Sequence, residues 1–211
     1  MLAIKELLKE QYRRFLPARA EDVFKIAVRD LEPGDIAIDC GANVGTYTEL
    51  LAKTGATIHA FEPDPVAFQV LAARVDGFQN VHLYPAGVSN VNGTAKLYLH
   101  EARERDPVFT STGSSLVASK TNVNPNTFVS IDVVRLADLI EKWGEIKIMK
   151  MDIEGHEIEV LNDLLDSGQF AKVARSFVEL HDKKNPQLRG STAALCKRLR
   201  DARIDINLAW H

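Results

Sequence analysis

The sequence predicts an α/β protein with a mostly parallel central sheet and helices on both faces, in the Rossmann-like arrangement. Two patterns indicate this fold. Short apolar runs alternate with helix-length amphipathic stretches, as in proteins whose buried parallel strands are joined by crossover helices. The chain of 211 residues is 45% hydrophobic and 26% charged, which is ordinary for a globular protein and sufficient for one core.

Five apolar runs are the predicted parallel strands, at residues 35–40, 57–62, 81–85, 146–152 and 174–181. The stretches around them predict helices over residues 44–54, 64–75, 135–143, 155–166 and 191–203. Two further predicted strands, 94–99 and 127–134, flank a polar loop at about 101–126, and a last candidate strand covers 205–210. A loop of that length in a compact domain is usually a lid or a binding loop.

An N-terminal helical extension, residues 1–32, is predicted to precede the main domain, residues 33–211. Residues 2–16 have apolar side chains at helical spacing, Pro17 ends that helix, and a second helix is expected over 21–30. Charged side chains interrupt the first helix, whereas a signal peptide needs an uninterrupted apolar core. No apolar run approaches the roughly 18 residues of a membrane span. We therefore expect a cytoplasmic protein.

The net charge of −3 is unevenly distributed along the chain. Acidic side chains predominate over residues 31–182, and basic side chains predominate over residues 183–211. The acidic body argues against a broad nucleic-acid footprint, so we expect no nucleic-acid partner. The basic segment is typical of a solvated helix face. Two cysteines are too few for a disulfide framework.

The strongest local signal is a glycine loop after the first predicted strand, with the sequence DCGANVGT over residues 39–46. An open parallel sheet binds nucleotide-like ligands at this position, at the carboxyl ends of its strands. Gly41 and Gly45 let the backbone approach a ligand closely, because they have no Cβ atom. The helix that follows presents unpaired N–H groups.

The residues of this loop distinguish between two classes of cofactor. A dinucleotide fingerprint G-x-G-x-x-G needs glycine at positions 41, 43 and 46, but the chain has Asn43 and Thr46. Asp39 would repel a pyrophosphate, whereas it could pair with the ammonium group of S-adenosylmethionine. Glu62, at the end of the second strand, could accept both ribose hydroxyls of either cofactor. We expect S-adenosylmethionine, with a NAD-dependent oxidoreductase of Rossmann type as the alternative.

Three motifs resemble the FkbM-type methyltransferases: DCGANVG at 39–45, FEP at 61–63 and KMDIEGHE at 150–157. The resemblance covers about residues 33–182. It implies a class I methyltransferase fold and S-adenosylmethionine-dependent O-methylation of a hydroxyl on a sugar, a glycolipid or a secondary metabolite. Folds of this class usually close with an antiparallel strand pair, whereas this sequence shows one candidate strand, at 205–210.

The resemblance and the loop together define the expected cofactor contacts. The glycine loop is expected to hold the methionyl end, Glu62 the ribose, and the segment after the third strand the adenine. The predicted cofactor-binding residues are Asp39, Gly41, Ala42, Asn43, Gly45, Thr46, Glu62, Gly87, Val88 and Asp152.

The predicted catalytic residues cluster where the fourth strand meets the next helix. Methylation of an alcohol requires its oxygen to be in line with the methyl group, and a base helps to remove its proton. Histidine is the natural base near neutral pH, so we expect His156 or His181 to take the proton. Asp152 and Glu154 are expected to orient the base or the acceptor. Alternatively, His181 is a structural residue at a strand end, and Glu157 is a first-turn acid stabilised by the helix dipole.

A metal ion is a further alternative at the same strand ends. Asp152, Glu179 and His181 could bind Mg²⁺ through oxygen and nitrogen ligands. A strand alternates its faces, however, so only one of each close pair is expected to point into one site, and no H-x-x-x-H spacing occurs. We therefore expect no metal. Ser114 and Ser115, in the polar loop, could cap a substrate hydroxyl or the cofactor.

Another class of protein, a cofactor-binding domain without catalysis, also fits the fold. The polar cluster after the fourth strand argues against it. The expected partner is a small-molecule or glycan acceptor with a free hydroxyl group. An apparently incomplete sheet edge favours pairing into a homo-oligomer.

Overall fold

The structure, a computed structural model, describes residues 20–100, 114–116, 123–181 and 189–208. The strands in these residues are β1 (Ile36–Cys40), β2 (Thr57–Phe61), β3 (Val81–Tyr84), β4 (Ala86–Ser89), β5 (Gly93–His100), β6 (Val123–Arg135), β7 (Ile146–Met151), β8 (Val173–Val178) and β9 (Ile206–Asn207). The helices are α1 (Ala20–Arg29), α2 (Thr46–Ala52), α3 (Pro65–Val75), α4 (Leu136–Trp143), α5 (Glu157–Asp166) and α6 (Arg189–Asp201), with a 3-10 helix at Gln169–Lys172. Among the described residues, no helix has the length and apolar character needed to span a membrane.

Six strands form the parallel central sheet, in the order β3-β2-β1-β7-β8-β9. The chain builds one half outward from β1 to β3 and the other half outward from β7 to β9. The strand order therefore reverses between β1 and β7. Such a reversal leaves a crevice at the carboxyl ends of the two central strands, where open α/β sheets bind their ligands.

Helices cover both faces of this sheet, as the sequence predicts. On one face, Ile38 and Met149 belong to a core that includes α4, α5 and α6. On the other face, Ala37 and Ile148 belong to a core that includes α1 and α2. Because neighbouring residues of a strand point to opposite faces, the strands need continuous apolar runs to supply both cores. The fold class is therefore the predicted α/β class.

A smaller sheet of three strands, in the order β4-β6-β5, accompanies the central sheet. Strand β6 pairs in parallel with β4 and antiparallel with β5. This sheet has its own apolar cluster, formed by Leu97, Leu99, Ile131 and Val133. It supplies one wall of the candidate site described below.

One predicted strand boundary is wrong, and the end of the central sheet differs from the usual form of the class. Strand β6 begins at Val123, four residues before the predicted start, because backbone pairing with β5 reaches from His100 to Val123. After the buried Val123, the polar side chains of Asn124, Asn126 and Thr127 are exposed, so this part of the strand has no apolar alternation in the sequence. Strand β9 pairs in parallel with β8, so the central sheet, as far as it is described, has no closing antiparallel pair. The helix predicted over 2–16 and most of the polar loop lie outside the described residues.

Candidate active site

The glycine loop after β1 packs directly on the backbone that follows β7. Gly41 and Gly45 both have left-handed backbone conformations, with φ values of 77° and 83°. A Cβ atom at position 41 would lie 1.8 Å from the carbonyl oxygen of Asp152, which no side chain could tolerate. The N–H groups of Gly41 and Ala42 donate to the carbonyl of Phe61, which fixes the loop to the end of β2. The loop is therefore held between two neighbouring strand ends.

A buried ion pair between β1 and β7 stabilises the glycine loop. The register of the sheet places Asp39 of β1 beside Lys150 of β7, and their charged atoms lie 3.2 Å apart. Lys150 Nζ also donates to the carbonyl of Gly41 at 2.6 Å, and Thr48 donates its hydroxyl to Asp39. Burial alone would lower the pKa of Lys150, but the Asp39 carboxylate outweighs that effect and raises it to about 12. Lys150 is thus a buried cation that braces the loop.

This arrangement changes the interpretation of Asp39. Its side chain is fully buried and does not line the cavity, so direct pairing with a ligand ammonium group has no support in its position. Ala42, Gly45 and Thr46 also lie outside the cavity lining. Gly45 is close to α3 instead, since a Cβ atom there would lie 2.7 Å from Leu71.

Glu62, directly after β2, is the acid that the sequence places at the ribose position. Its carboxylate accepts the N–H of Asn43 at 2.8 Å and the N–H of Asp64 at 2.7 Å. Burial raises the pKa of Glu62 to about 7, although these two backbone hydrogen bonds oppose the shift. Each oxygen keeps a further lone pair, so the carboxylate can still accept hydroxyl groups from a ligand.

A cavity lies at the carboxyl ends of β1, β2 and β7 and extends to the small sheet. Its lining is partly polar, with Glu62 and Asp152, and partly apolar, with Val88 and Leu97. Gly87 faces it, and a Cβ atom there would come within 3.3 Å of Ile131 and Val133. The lining residues are Gly41, Asn43, Glu62, Pro63, Asp64, Gly87, Val88, Leu97, Ser114, Leu116, Asp152, Ile153 and Glu154.

A tight acidic turn between β7 and α5 forms the polar wall opposite Glu62. Glu154 has a left-handed φ of 60°, a strained conformation for a residue with a side chain. Two groups hold it in place. Glu157 accepts the N–H groups of Ile153 and Gly155, each at 3.1 Å, and the Ser115 hydroxyl donates to the Glu154 carbonyl at 2.5 Å. The sequence signal for Ser115 was weak, because its contact joins two distant segments.

His181 lies behind this turn, inside a group of four carboxylates. Its Nδ1 atom is hydrogen bonded to Glu157 at 2.9 Å. Its Nε2 atom lies 3.1 Å from a Glu154 oxygen, 3.5 Å from a Glu179 oxygen and 3.7 Å from an Asp152 oxygen. Burial alone would lower the pKa of His181, but the carboxylates of Glu154 and Glu157 outweigh it and raise the pKa to about 10.

Neither histidine is placed as the predicted base. His181 is protonated at neutral pH in this environment, so it cannot accept a proton there. His156 begins α5 and does not line the cavity. Its ring contacts Ser89 at 3.1 Å and Glu159 at 3.6 Å. The structure does bring Asp152 and Glu154 to the cavity, as the sequence predicts.

Several residues of the site were not among the sequence predictions. Asp64 caps α3 and lies 3.5 Å from the Ser114 hydroxyl, so the polar loop reaches the cavity through Ser114. Leu97 and Leu116 supply the apolar wall. One available signal was Lys150: β7 contains two lysines, and a lysine on the strand's apolar, buried positions needs a buried partner, whereas Lys147 is exposed.

The fold and the site together define a Rossmann-like protein whose cavity lies at the reversal of strand order, the place where such folds bind nucleotide-like cofactors. Residues 39–203 match the family model of the methyltransferase FkbM domain. The chain therefore belongs to the FkbM methyltransferase family and is an enzyme of the methyltransferase class. This assignment favours methyl transfer over the oxidoreductase alternative.

Two characterised relatives are similar over most of their length. The chain is 30% identical to the 31-O-demethyl-FK506 methyltransferase FkbM of Streptomyces tacrolimicus, over 72% of this chain and 68% of that protein. It is 26% identical to the hexuronic acid methyltransferase AglP of Haloferax volcanii, over 84% of this chain and 70% of that protein. Among solved structures, the precorrin 8W decarboxylase of Methanobacterium thermoautotrophicum aligns with 91% of this chain and 75% of its own, at 15% identity and a TM-score of 0.44.

Proposed function

We propose that this protein transfers a methyl group from S-adenosylmethionine to a hydroxyl group of a sugar, a glycolipid or a secondary metabolite. The observation that carries the proposal is the cavity itself, which has the buried Glu62 on one wall and the Asp152–Glu154 turn on another. The two relatives support it, since one is named for a demethylated hydroxyl of FK506 and the other for a hexuronic acid.

The residues around the cavity fit S-adenosylmethionine. Gly41, Asn43 and Asp152 line the cavity together, and the amino acid part of the cofactor fits between them. Glu62 can accept the two ribose hydroxyls. The adenine fits the apolar side, at Gly87 and Val88, which Leu97 and Leu116 complete. When bound, the cofactor supplies a methyl group already activated on sulfur.

The acidic turn is the part of the site suited to the acceptor. Methyl transfer from an activated donor depends mainly on the position of the acceptor oxygen. Glu154, fixed by Ser115 and by the His181 imidazolium, can orient an acceptor hydroxyl. Burial raises the pKa of Asp152, an effect that the charge of Lys150 opposes. A carboxylate with a raised pKa is a better proton acceptor, so we assign the role of base to Asp152.

The same acidic wall favours a neutral hydroxyl over a carboxylate as the acceptor. A carboxylate would approach Asp152 and Glu154 with like charge, which disfavours binding. The two products are easily told apart, because a methyl ester is hydrolysed by mild alkali and a methyl ether is not.

The full chain should therefore be incubated with methyl-labelled S-adenosylmethionine and a panel of hydroxylated sugars, glycolipids and macrolides. We expect label in an alkali-stable product, and we expect Asp152→Asn to lower kcat by about 100-fold, as loss of a base does. Asp138→Asn, an exposed acid outside the cavity, should leave kcat unchanged. Uptake of a nicotinamide dinucleotide without binding of S-adenosylhomocysteine would refute the proposal.

A further inference from the structure

The residues around His181 have the arrangement of a metal site. His181 is 4% exposed, and its Nε2 atom has no hydrogen-bond partner although oxygens of Asp152, Glu154 and Glu179 lie 3.1–3.7 Å from it. The Oδ1 atom of Asp152, which faces it, is also buried and has no hydrogen-bond partner. One N–H group cannot point at three oxygens, whereas one cation can bind all of them.

The distances agree with a shared cation. Ligands about 2.1 Å from a first-row divalent ion are separated by roughly 3.0–3.4 Å in octahedral or tetrahedral geometry. Of the separations from His181 Nε2, the one to Glu154, 3.1 Å, lies within this range, and those to Glu179 and Asp152, 3.5 Å and 3.7 Å, are slightly longer.

Glu157 supplies the orientation that a histidine ligand needs. Its buried carboxylate accepts from Nδ1 of His181 at 2.9 Å and so directs Nε2 toward the other acids. A carboxylate behind the ring is the usual partner of a metal-binding histidine. The same Glu157 also accepts the N–H groups of Ile153 and Gly155, so it fixes the turn that carries Glu154.

The sequence disfavours a metal only on the assumption that side chains alternate along a strand through these positions. That assumption fails here, because β7 ends at Met151 and β8 ends at Val178. Asp152, Glu179 and His181 all follow the strand ends, where alternation no longer applies. They converge because the two strands are neighbours in the sheet.

We propose that His181 and Asp152, with carboxylate oxygens from Glu154 and Glu179, bind one divalent cation of the Mn²⁺ class beside the cavity. The mixture of imidazole and carboxylate ligands suits such an ion. With the ion bound, Asp152 would serve as a ligand and not as the base assigned above, and the ion could bind an acceptor oxygen, because Asp152 and Glu154 line the cavity. That consequence rests on the proposed methyl transfer, whereas binding of the ion does not.

The test is Mn²⁺ binding to the full chain, measured by electron paramagnetic resonance after treatment with a chelator and without any cofactor. We expect one saturable Mn²⁺ per chain. Asp152→Asn and His181→Gln should each weaken it at least tenfold, and Glu157→Gln by about 10–100-fold. Glu141→Gln, an exposed acid of α4, should bind Mn²⁺ as the wild type does.

Two outcomes overturn the proposal: no saturable Mn²⁺ binding, or equal affinity in the wild type and in Asp152→Asn. If His181→Gln does not fold, Asp152→Asn alone tests Mn²⁺ binding, because the Asp152 side chain is 25% exposed and tolerates an amide. Glu62→Gln separates this proposal from the proposed function. It should keep Mn²⁺ binding and lose affinity for S-adenosylhomocysteine. Methyl transfer that persists in excess chelator, with no Mn²⁺ bound, would refute a role of the ion in the reaction, while the binding of the ion and the methyltransferase assignment would both stand.

Discussion

Gly41 is the residue at which the glycine loop contacts the acidic turn. Glycine is required at this position because a Cβ atom would lie 1.8 Å from the carbonyl oxygen of Asp152. We expect Gly41→Ala to lower the free energy of unfolding by more than about 2 kcal/mol, since both a clash and a left-handed φ must be accommodated. It should also abolish binding of S-adenosylhomocysteine. Urea unfolding and calorimetry measure the two effects.

Gly168→Ala is the matched control for this substitution. Gly168 has nearly the same φ, 73°, but an added Cβ atom would meet nothing within 4 Å. It should cost only the strain of the left-handed conformation, about 1–2 kcal/mol, and leave ligand affinity unchanged. Equal effects of the two variants on ligand binding would show that the contact with Asp152 is unimportant.

Glu62 predicts a pH dependence of cofactor binding. Ribose hydroxyls donate to the ionised carboxylate, and burial raises the pKa of that group to about 7. Because the ionised fraction increases by about tenfold between pH 6 and pH 8, we expect affinity for S-adenosylhomocysteine to increase by about as much. Calorimetry at both pH values measures it. Glu62→Gln should bind more weakly, with no rise over this range, and a wild type without the rise would contradict the role assigned to Glu62.

The residues of the site differ in how far the sequence could predict them. Glu62 and the two glycines were predictable, because their roles depend on position after a strand and on backbone shape. The role of Asp39 was not, since its partner Lys150 is distant in the sequence and meets it only through the β1–β7 register. The histidines were assigned as bases from their ordinary pKa, which the carboxylates around His181 change.

At the scale of elements, the strands and helices of the central sheet were predictable from apolar periodicity, because burial on two faces demands it. The small sheet was less predictable from the sequence. The polar start of β6 and the contact of residues 114–116 with β5 depend on backbone hydrogen bonds, which leave no side-chain pattern. The N–H groups and carbonyls of Tyr98 and Ser115 pair in both directions, and this pairing brings the polar loop back to the cavity.

We predict that Ser115, in the segment 114–116, affects activity. Ser115→Ala removes the hydroxyl that holds the strained Glu154 turn, so Glu154 should lose its fixed position. We expect kcat/KM for the acceptor to fall about fivefold, which corresponds to about 1 kcal/mol for one hydrogen bond. Ser167→Ala is the control, because its hydroxyl also donates to a backbone carbonyl but at the end of α5, outside the cavity. A similar loss in both variants would contradict a specific role for Ser115.

At the scale of the whole molecule, the titration of His181 makes the free energy of unfolding depend on pH. Its folded-state pKa of about 10 exceeds the ordinary value of 6.5, so its contribution is fully present below about pH 6.5 and is lost as pH rises through 10. We expect the free energy of unfolding to fall between pH 7 and pH 10, by up to about 1.4 kcal/mol per pH unit. Urea unfolding at several pH values, without metal, measures the slope. His181→Gln should flatten it, and an equal slope in that variant would assign the effect to other groups.

The reversal of strand order between β1 and β7 explains why the site lies where it does. The two strands stay paired up to Cys40 and Met151, but the connections that follow them lead to opposite halves of the sheet, and the glycine loop and the acidic turn line the crevice between these connections. Both segments follow strands that the core holds rigidly, so their relative position is a property of the sheet and not of any single side chain.

The direct backbone contact between Gly41 and Asp152 limits how such an enzyme can diversify. With no side chain interposed, substitution at position 41 cannot widen the separation between the glycine loop and the acidic turn, so the backbone fixes that separation. A different acceptor would have to be accommodated beyond this contact, and not at Leu97 and Leu116, which belong to the adenine side of the cavity. Efforts to redirect the enzyme should therefore leave both the loop and the adenine side untouched.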